Sequence, residues 1–126
     1  MYRIMAVEDD PIMQSVLRDT IRPEFEFVLS PNGREALESA SREKPDLILL
    51  DVHLPDMNGM EVCKHLKSDS RTRHIPVLML TGEARTAPEQ VNGLDNGAED
   101  YLLKPISPKV LLSRIRSILK VLARPT

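Results

Sequence analysis

Five short apolar runs, separated by longer amphipathic stretches, constrain the fold of this chain more than any other feature. The runs are Ile4–Val7, Phe25–Leu29, Leu47–Leu50, Val77–Leu80 and Tyr101–Leu103. Most are continuous rather than alternating, and a strand that is apolar at successive positions has to be covered on both faces. Phe25-Glu26-Phe27-Val28-Leu29 carries a charge inside it and reads as an edge strand. The stretches between the runs have helical spacing: Pro11 to Arg22, Asn32 to Arg42, Gly59 to Lys67, Pro88 to Asp95 and Pro108 to Leu122. In the last of these Leu111, Leu112, Ile115, Ile118, Leu119 and Leu122 share one side. Strand–helix repetition with helices of this length implies right-handed βαβ crossovers and a parallel sheet. The expected fold is α/β, a (βα)5 doubly wound five-stranded parallel sheet with helices on both faces. The pattern leaves strand order open. Punctuation agrees, with Asp10-Pro11 as an N-cap followed by proline at the first helical position, and Pro45, Pro76 and Pro105 at element boundaries.

Composition narrows the class. A chain of 126 residues makes one domain, 1–126, with 123–126 open between a true end and the start of a linker. Aromatics are 3% with no Trp, so the core rests on Leu, Ile, Val and Met, with the six methionines as filler. A net charge of −2 gives no general attraction to nucleic acid, so none is expected to bind this domain directly. One cysteine, Cys63, excludes an internal disulfide and falls among the apolar positions of a helix, a core place rather than a reactive one. No apolar run approaches the ~20 residues that span a bilayer, and Met1-Tyr2-Arg3-Ile4 lacks a signal-peptide stretch. A reducing, cytoplasmic setting away from membranes is expected.

In open parallel sheets, sites form beyond the carboxyl ends of the strands. Glu8, Asp9 and Asp10 follow the first run, Asp51 the third, Thr81 and Gly82 the fourth, and Lys104 and Pro105 the fifth. The second run is followed only by Ser30 and Pro31. Carboxylates gathered at one rim repel each other unless a cation is held among them. A hard divalent ion such as Mg²⁺ suits a few carboxylates, waters and phosphate oxygens. A lysine and a hydroxyl beside them complete a phosphoryl-transfer set, in which one carboxylate is the nucleophile.

Four segments carry a resemblance. Val7-Glu8-Asp9-Asp10-Pro11, Leu50-Asp51-Val52-His53-Leu54-Pro55-Asp56-Met57-Asn58-Gly59, Leu80-Thr81-Gly82 and Asp100-Tyr101-Leu102-Leu103-Lys104-Pro105 resemble the signatures of receiver domains of two-component response regulators, of the chemotaxis-regulator type. They stand in the right order across nearly the whole chain. The resemblance implies a flavodoxin-like fold and a phosphorylation-activated switch in a phosphorelay. It makes Asp51 the phosphoacceptor. Glu8, Asp9, Asp51 and the backbone carbonyl of His53 become ligands of Mg²⁺, with Mn²⁺ as a substitute. Thr81 becomes the switch hydroxyl, Tyr101 the switch aromatic that turns inward with it, and Lys104 the partner of the phosphoryl oxygens. The Lys104–Pro105 peptide is expected to be cis. Such a domain is no enzyme in the ordinary sense, catalysing only its own phosphorylation and dephosphorylation. Its implied partners are a sensor histidine kinase or phosphotransfer protein and a downstream effector, with a phosphorylation-dependent dimer left open. Output is expected through the face of the fourth helical stretch, the fifth strand and the last helix.

Two residues depart mildly from the family pattern. The acidic pair is Glu-Asp rather than Asp-Asp, and Gly82 follows Thr81 where Ala is frequent. His53 and Glu83 occupy positions where the family tunes dephosphorylation. Other residues read more simply. Asp10 is a helix cap and Asn58-Gly59 a turn into the next helix. His65 and His74 are surface residues, and Lys67–Arg73 is a solvated loop. Rival functions are weaker. A haloacid-dehalogenase-like phosphatase needs a second Asp two residues after the nucleophile, where His53 stands. A flavodoxin-like nucleotide binder needs a Gly-rich loop after the first strand, where the acidic run stands. A pseudo-receiver, a pure interaction module, is disfavoured by the complete set of Glu8, Asp9, Asp51, Thr81 and Lys104.

Overall fold

A computed structural model describes residues 1–82 and 97–123. The elements in chain order are β1 (Arg3–Val7), α1 (Pro11–Ile21), β2 (Glu26–Ser30), α2 (Gly33–Glu43), β3 (Leu47–Asp51), α3 (Gly59–Ser68), β4 (Val77–Thr81), β5 (Asp100–Leu103) and α4 (Pro108–Ala123). The helical stretch expected over Pro88 to Asp95, and Glu83, lie outside the described residues. The strands form one parallel sheet in the order β2-β1-β3-β4-β5. The strand with the internal charge is an edge, as its sequence implies.

Alternate side chains of each strand face opposite layers, and two apolar clusters result. Met5, Val7, Ile48, Leu50, Val77 and Met79 point to one face, where Ala36 and Ala40 of α2 and Val62, Cys63 and Leu66 of α3 cover them. Ile4, Ala6, Leu47, Leu49, Leu78 and Leu80 point to the other, under Leu17 and Ile21 of α1 and Leu111, Ile115 and Leu119 of α4. Every residue of β3 and β4 is buried, which is why those runs show no alternation. At ~25 cal/mol per Å² of apolar surface, this two-sided burial is the main force holding the sheet. The methionines divide: Met5 and Met79 are fully buried, whereas Met1 is 86% exposed and fills no core.

Caps fix where helices start. Asp10 accepts from the Ile12 and Met13 amides ahead of Pro11. Asn32 caps α2 through the Glu35 amide at 2.9 Å, and Asn58 caps α3 through the Met60 amide at 2.7 Å. No helix among the described residues is long and apolar enough to cross a membrane.

Candidate functional site

The sheet register gathers the strand ends. Val7 pairs with Leu50, Asp51 with Leu80, and Thr81 with Leu103. Glu8, Asp51, Thr81 and Lys104 are therefore brought to one rim by four adjacent strands. The chain order reverses between β1 and β3, so this rim lies at the topological switch point, where open α/β sheets place their sites.

Backbone bonds extend the strands into the rim. The Glu8 amide donates to the Ser30 carbonyl at 3.0 Å, the Val52 amide to Leu80 at 2.9 Å, and the Lys104 amide to Thr81 at 2.6 Å. The side chains then converge. The Lys104 ammonium donates to Glu8 Oε1 at 3.2 Å and to Asp51 Oδ2 at 3.1 Å. The other Asp51 oxygen, Oδ1, accepts from the His53 amide at 3.1 Å, and Glu8 Oε2 accepts from the Asp10 amide at 3.1 Å. Gln14 donates from its side chain to the Glu8 carbonyl at 2.8 Å. Glu8 and Asp51 are buried and Asp9 is exposed. One carboxylate oxygen from each of Glu8, Asp9 and Asp51 lies within 4.8 Å of the others, a grouping that could hold a metal ion.

Three carboxylates against one ammonium leave an excess of negative charge in a partly desolvated place. Burial is the largest influence on Glu8 and pushes its carboxyl above the usual range; the charge of Asp51 adds to this, while the Asp10 amide and Lys104 oppose it. For Lys104 burial acts to lower the pKa, but the charges and hydrogen bonds of Asp51 and Glu8 together outweigh it and raise the value. The donor set is oxygen only and over-supplied with negative charge, the chemistry that a small hard dication suits.

Thr81 is fully buried at the end of β4. Tyr101 is half-buried on β5 and packs against the α2/α3 apolar cluster. The Lys104–Pro105 peptide is cis. Sequence reasoning passed over Asp56, whose carboxylate accepts from the first amides of α2. It also passed over Lys67, which is not part of a solvated loop. Its ammonium donates to the Ile75 carbonyl at 2.6 Å, the Arg73 carbonyl at 3.3 Å and Glu99 at 3.2 Å. Neither role has a local signal, because the partners come from other elements. His65 and His74 are exposed, as their spacing implies, and Cys63 is buried.

The chain matches the response regulator receiver domain over residues 4–116. It is 41% identical over 119 residues to the DNA-binding response regulator MtrA of Mycolicibacterium smegmatis, a match covering 94% of this chain and 50% of that protein. Among solved structures, the BeF3-activated N-terminal receiver domain of Klebsiella pneumoniae RstA superposes with a TM-score of 0.84 at 36% identity, covering 94% of this chain and 98% of that one. The receiver domain of the sensor histidine kinase PA1611 from Pseudomonas aeruginosa, which has a magnesium ion coordinated in its active-site cleft, gives 0.87 at 29% identity over 94% and 98%. The chain belongs to the response regulator receiver domains, signalling domains of two-component systems. It spans about half the length of the curated relatives it matches.

Proposed function

We propose that this chain is a single receiver unit that takes a phosphoryl group on Asp51 from the phosphohistidine of a sensor histidine kinase or phosphotransfer protein. The observation that carries the reading is the Lys104 ammonium bound at once to Asp51 and Glu8 on the rim of the sheet. An Asp51 oxygen attacks phosphorus, the phosphorus–nitrogen bond breaks, and the imidazole leaves and takes a proton from solvent. The product is an acyl phosphate on Asp51. Lys104 is placed to follow the charge as it moves from the carboxylate to the phosphoryl oxygens. Glu8, Asp9, Asp51 and the His53 carbonyl would hold Mg²⁺, or Mn²⁺ in its place. When bound, that ion neutralises the acidic set and the incoming phosphoryl oxygens.

Readout follows from position. Thr81 ends the strand beside Asp51, so its hydroxyl can bond a phosphoryl oxygen, and Tyr101 lies on the next strand. Movement of the two repacks the β5 side of the molecule, an element with two arrangements biased by one local charge. The output partner, an effector protein or a further domain of the kind the longer relatives have, then meets a changed surface. The setting is cytoplasmic.

The test is incubation with acetyl phosphate and Mg²⁺, read by intact-protein mass. The mass should rise by one phosphoryl group in the wild type and stay unchanged in Asp51→Asn and after chelation of the metal. Uptake by Asp51→Asn at the wild-type rate would place the nucleophile elsewhere.

A further inference from the structure

The segment that leads from Asp51 to α3 closes on itself. His53 and Asn58 form an antiparallel bridge, and the Gly59 amide donates to the Val52 carbonyl at 2.7 Å. Leu54, Pro55, Asp56 and Met57 form the tip of this small hairpin. Asp56 ties the tip to α2 with both oxygens. Oδ1 accepts from the Gly33 amide and Oδ2 from the Arg34 amide, each at 2.9 Å. These amides belong to the first turn of α2, where helix donors have no partner within their own helix and the helix dipole favours an anion. The bonds from Arg34 and Gly33 hold the Asp56 carboxyl below its usual range. Met57 presses on the same spot: a Cβ at Gly33 would stand 2.5 Å from Met57 Cγ and 2.8 Å from Val62 Cγ2. Helix α2 thus has two caps of different origin. Asn32 is local and serves Glu35; Asp56 arrives from 22 and 23 residues away and carries the hairpin with it.

We propose that Asp56 is a positioning residue for the metal and phosphoryl site, clamping the hairpin onto α2 so that the backbone between Asp51 and Asn58 keeps one geometry. The proposal rests on the reading that Asp51 and the His53 carbonyl belong to that site. The base of the hairpin is fixed by β3 and Gly59, and the carboxylate of Asp56 fixes the other end. His53 lies between them, with its amide on Asp51 Oδ1. Loss of the clamp frees the tip, and with it the orientation of the peptide that holds Asp51. A cap serving only helix stability would have no such effect, and this difference is what the test measures.

Three variants separate the two roles: Asp56→Ala, Asp56→Asn and Asn32→Ala. Asn32→Ala removes a cap from the same helix without touching the hairpin. Backbone amide exchange over residues 52–59 is followed by NMR in metal-free protein, and Mg²⁺ is then titrated against the same amide signals. Asp56→Ala should speed exchange of the hairpin amides by about tenfold or more and weaken Mg²⁺ binding severalfold, less than the roughly tenfold or more that follows loss of a direct hydrogen-bond partner of a metal ligand. Asp56→Asn keeps one acceptor oxygen and should fall between. Asn32→Ala should lower the denaturation midpoint and leave both readouts at wild-type values. The proposal is overturned if Asp56→Ala leaves hairpin exchange unchanged, or if Asn32→Ala reproduces its effects. A wild type that shows no Mg²⁺ shifts removes the metal reading of the site, and the exchange comparison still decides whether Asp56 positions the hairpin.

Discussion

Replacing Gly59 with alanine probes how closely α3 is pressed against the end of β3. A Cβ at this position would overlap the Asp51 carbonyl oxygen and stand 2.9 Å from Val52 Cα and 3.0 Å from Asp51 C. Carbon atoms in contact settle at about 3.5–4.0 Å, so the start of the helix has to retreat by roughly 0.6 Å from Val52 Cα alone. The obstructing atoms are backbone and buried, so no side chain can swing aside. Overpacking of this kind costs about 1–3 kcal/mol, and stretching the Gly59–Val52 hydrogen bond of 2.7 Å adds up to about 1 kcal/mol. Against this, alanine gains at most about 1 kcal/mol over glycine through helix propensity and a less flexible unfolded chain. The expected net loss is centred on about 2 kcal/mol. Urea denaturation followed by far-UV circular dichroism measures it, with Gly82→Ala as the contrast. Among the described residues a Cβ at Gly82 meets nothing within 4 Å, so that variant should stay within about 0.5 kcal/mol of wild type. A Gly59→Ala protein equally close to wild type, with the same dependence on urea, would refute the steric argument.

Two further outcomes are expected. Burial pushes the Cys63 thiol from 9.0 up to about 11. The unfolded chain therefore loses this proton first, and stability falls as pH rises from about 9 to 11. Two pKa units correspond to about 2.7 kcal/mol, so wild type should lose up to that much more than Cys63→Ala between pH 8 and pH 11 in denaturant titrations. Equal losses would show that the thiol titrates as it does in the open chain. Lys67→Met keeps the aliphatic stem but leaves the Ile75 carbonyl and Glu99 without their ammonium donor. It should cost about 1–3 kcal/mol, and a midpoint unchanged in thermal denaturation would count against the anchor.

The sequence was most informative where local pattern and burial coincide. Leu47–Leu50 and Val77–Leu80 are continuous apolar runs because α2 and α3 cover one face and α1 and α4 the other, so their residue types alone identify strands covered on both faces. Phe25–Leu29 shows its edge position through Glu26. Strand order was not legible. It depends on which crossovers pack together, and the same runs would serve another order equally well. The site was partly legible because four strand ends carry unusual groups. The grip of Lys104 on both Glu8 and Asp51 depends on sheet register, which no single segment encodes. Asp56 was passed over and Lys67 misread for the same reason. Each is a charged residue in a polar stretch, and only the tertiary fold supplies the amides and carbonyls that give it a role. Asn32 and Asn58 lay nearer to recognition, since an amide side chain just ahead of a helical stretch is a cap by local chemistry.

The lysine that completes the rim sits 96 residues from Glu8 and 53 from Asp51. Every neighbouring pair in the sheet is parallel, so no strand can zip onto the next through a tight turn. Long loops have to close before any pairing is rewarded, and folding of such a topology is correspondingly slow. β5 is an edge strand and the most exposed of the central and far-side strands, so it can be the last to dock. Until it does, Glu8 and Asp51 stand without their ammonium. The contact of Lys104 with Glu8 and Asp51 is therefore complete only once β5 has paired with β4.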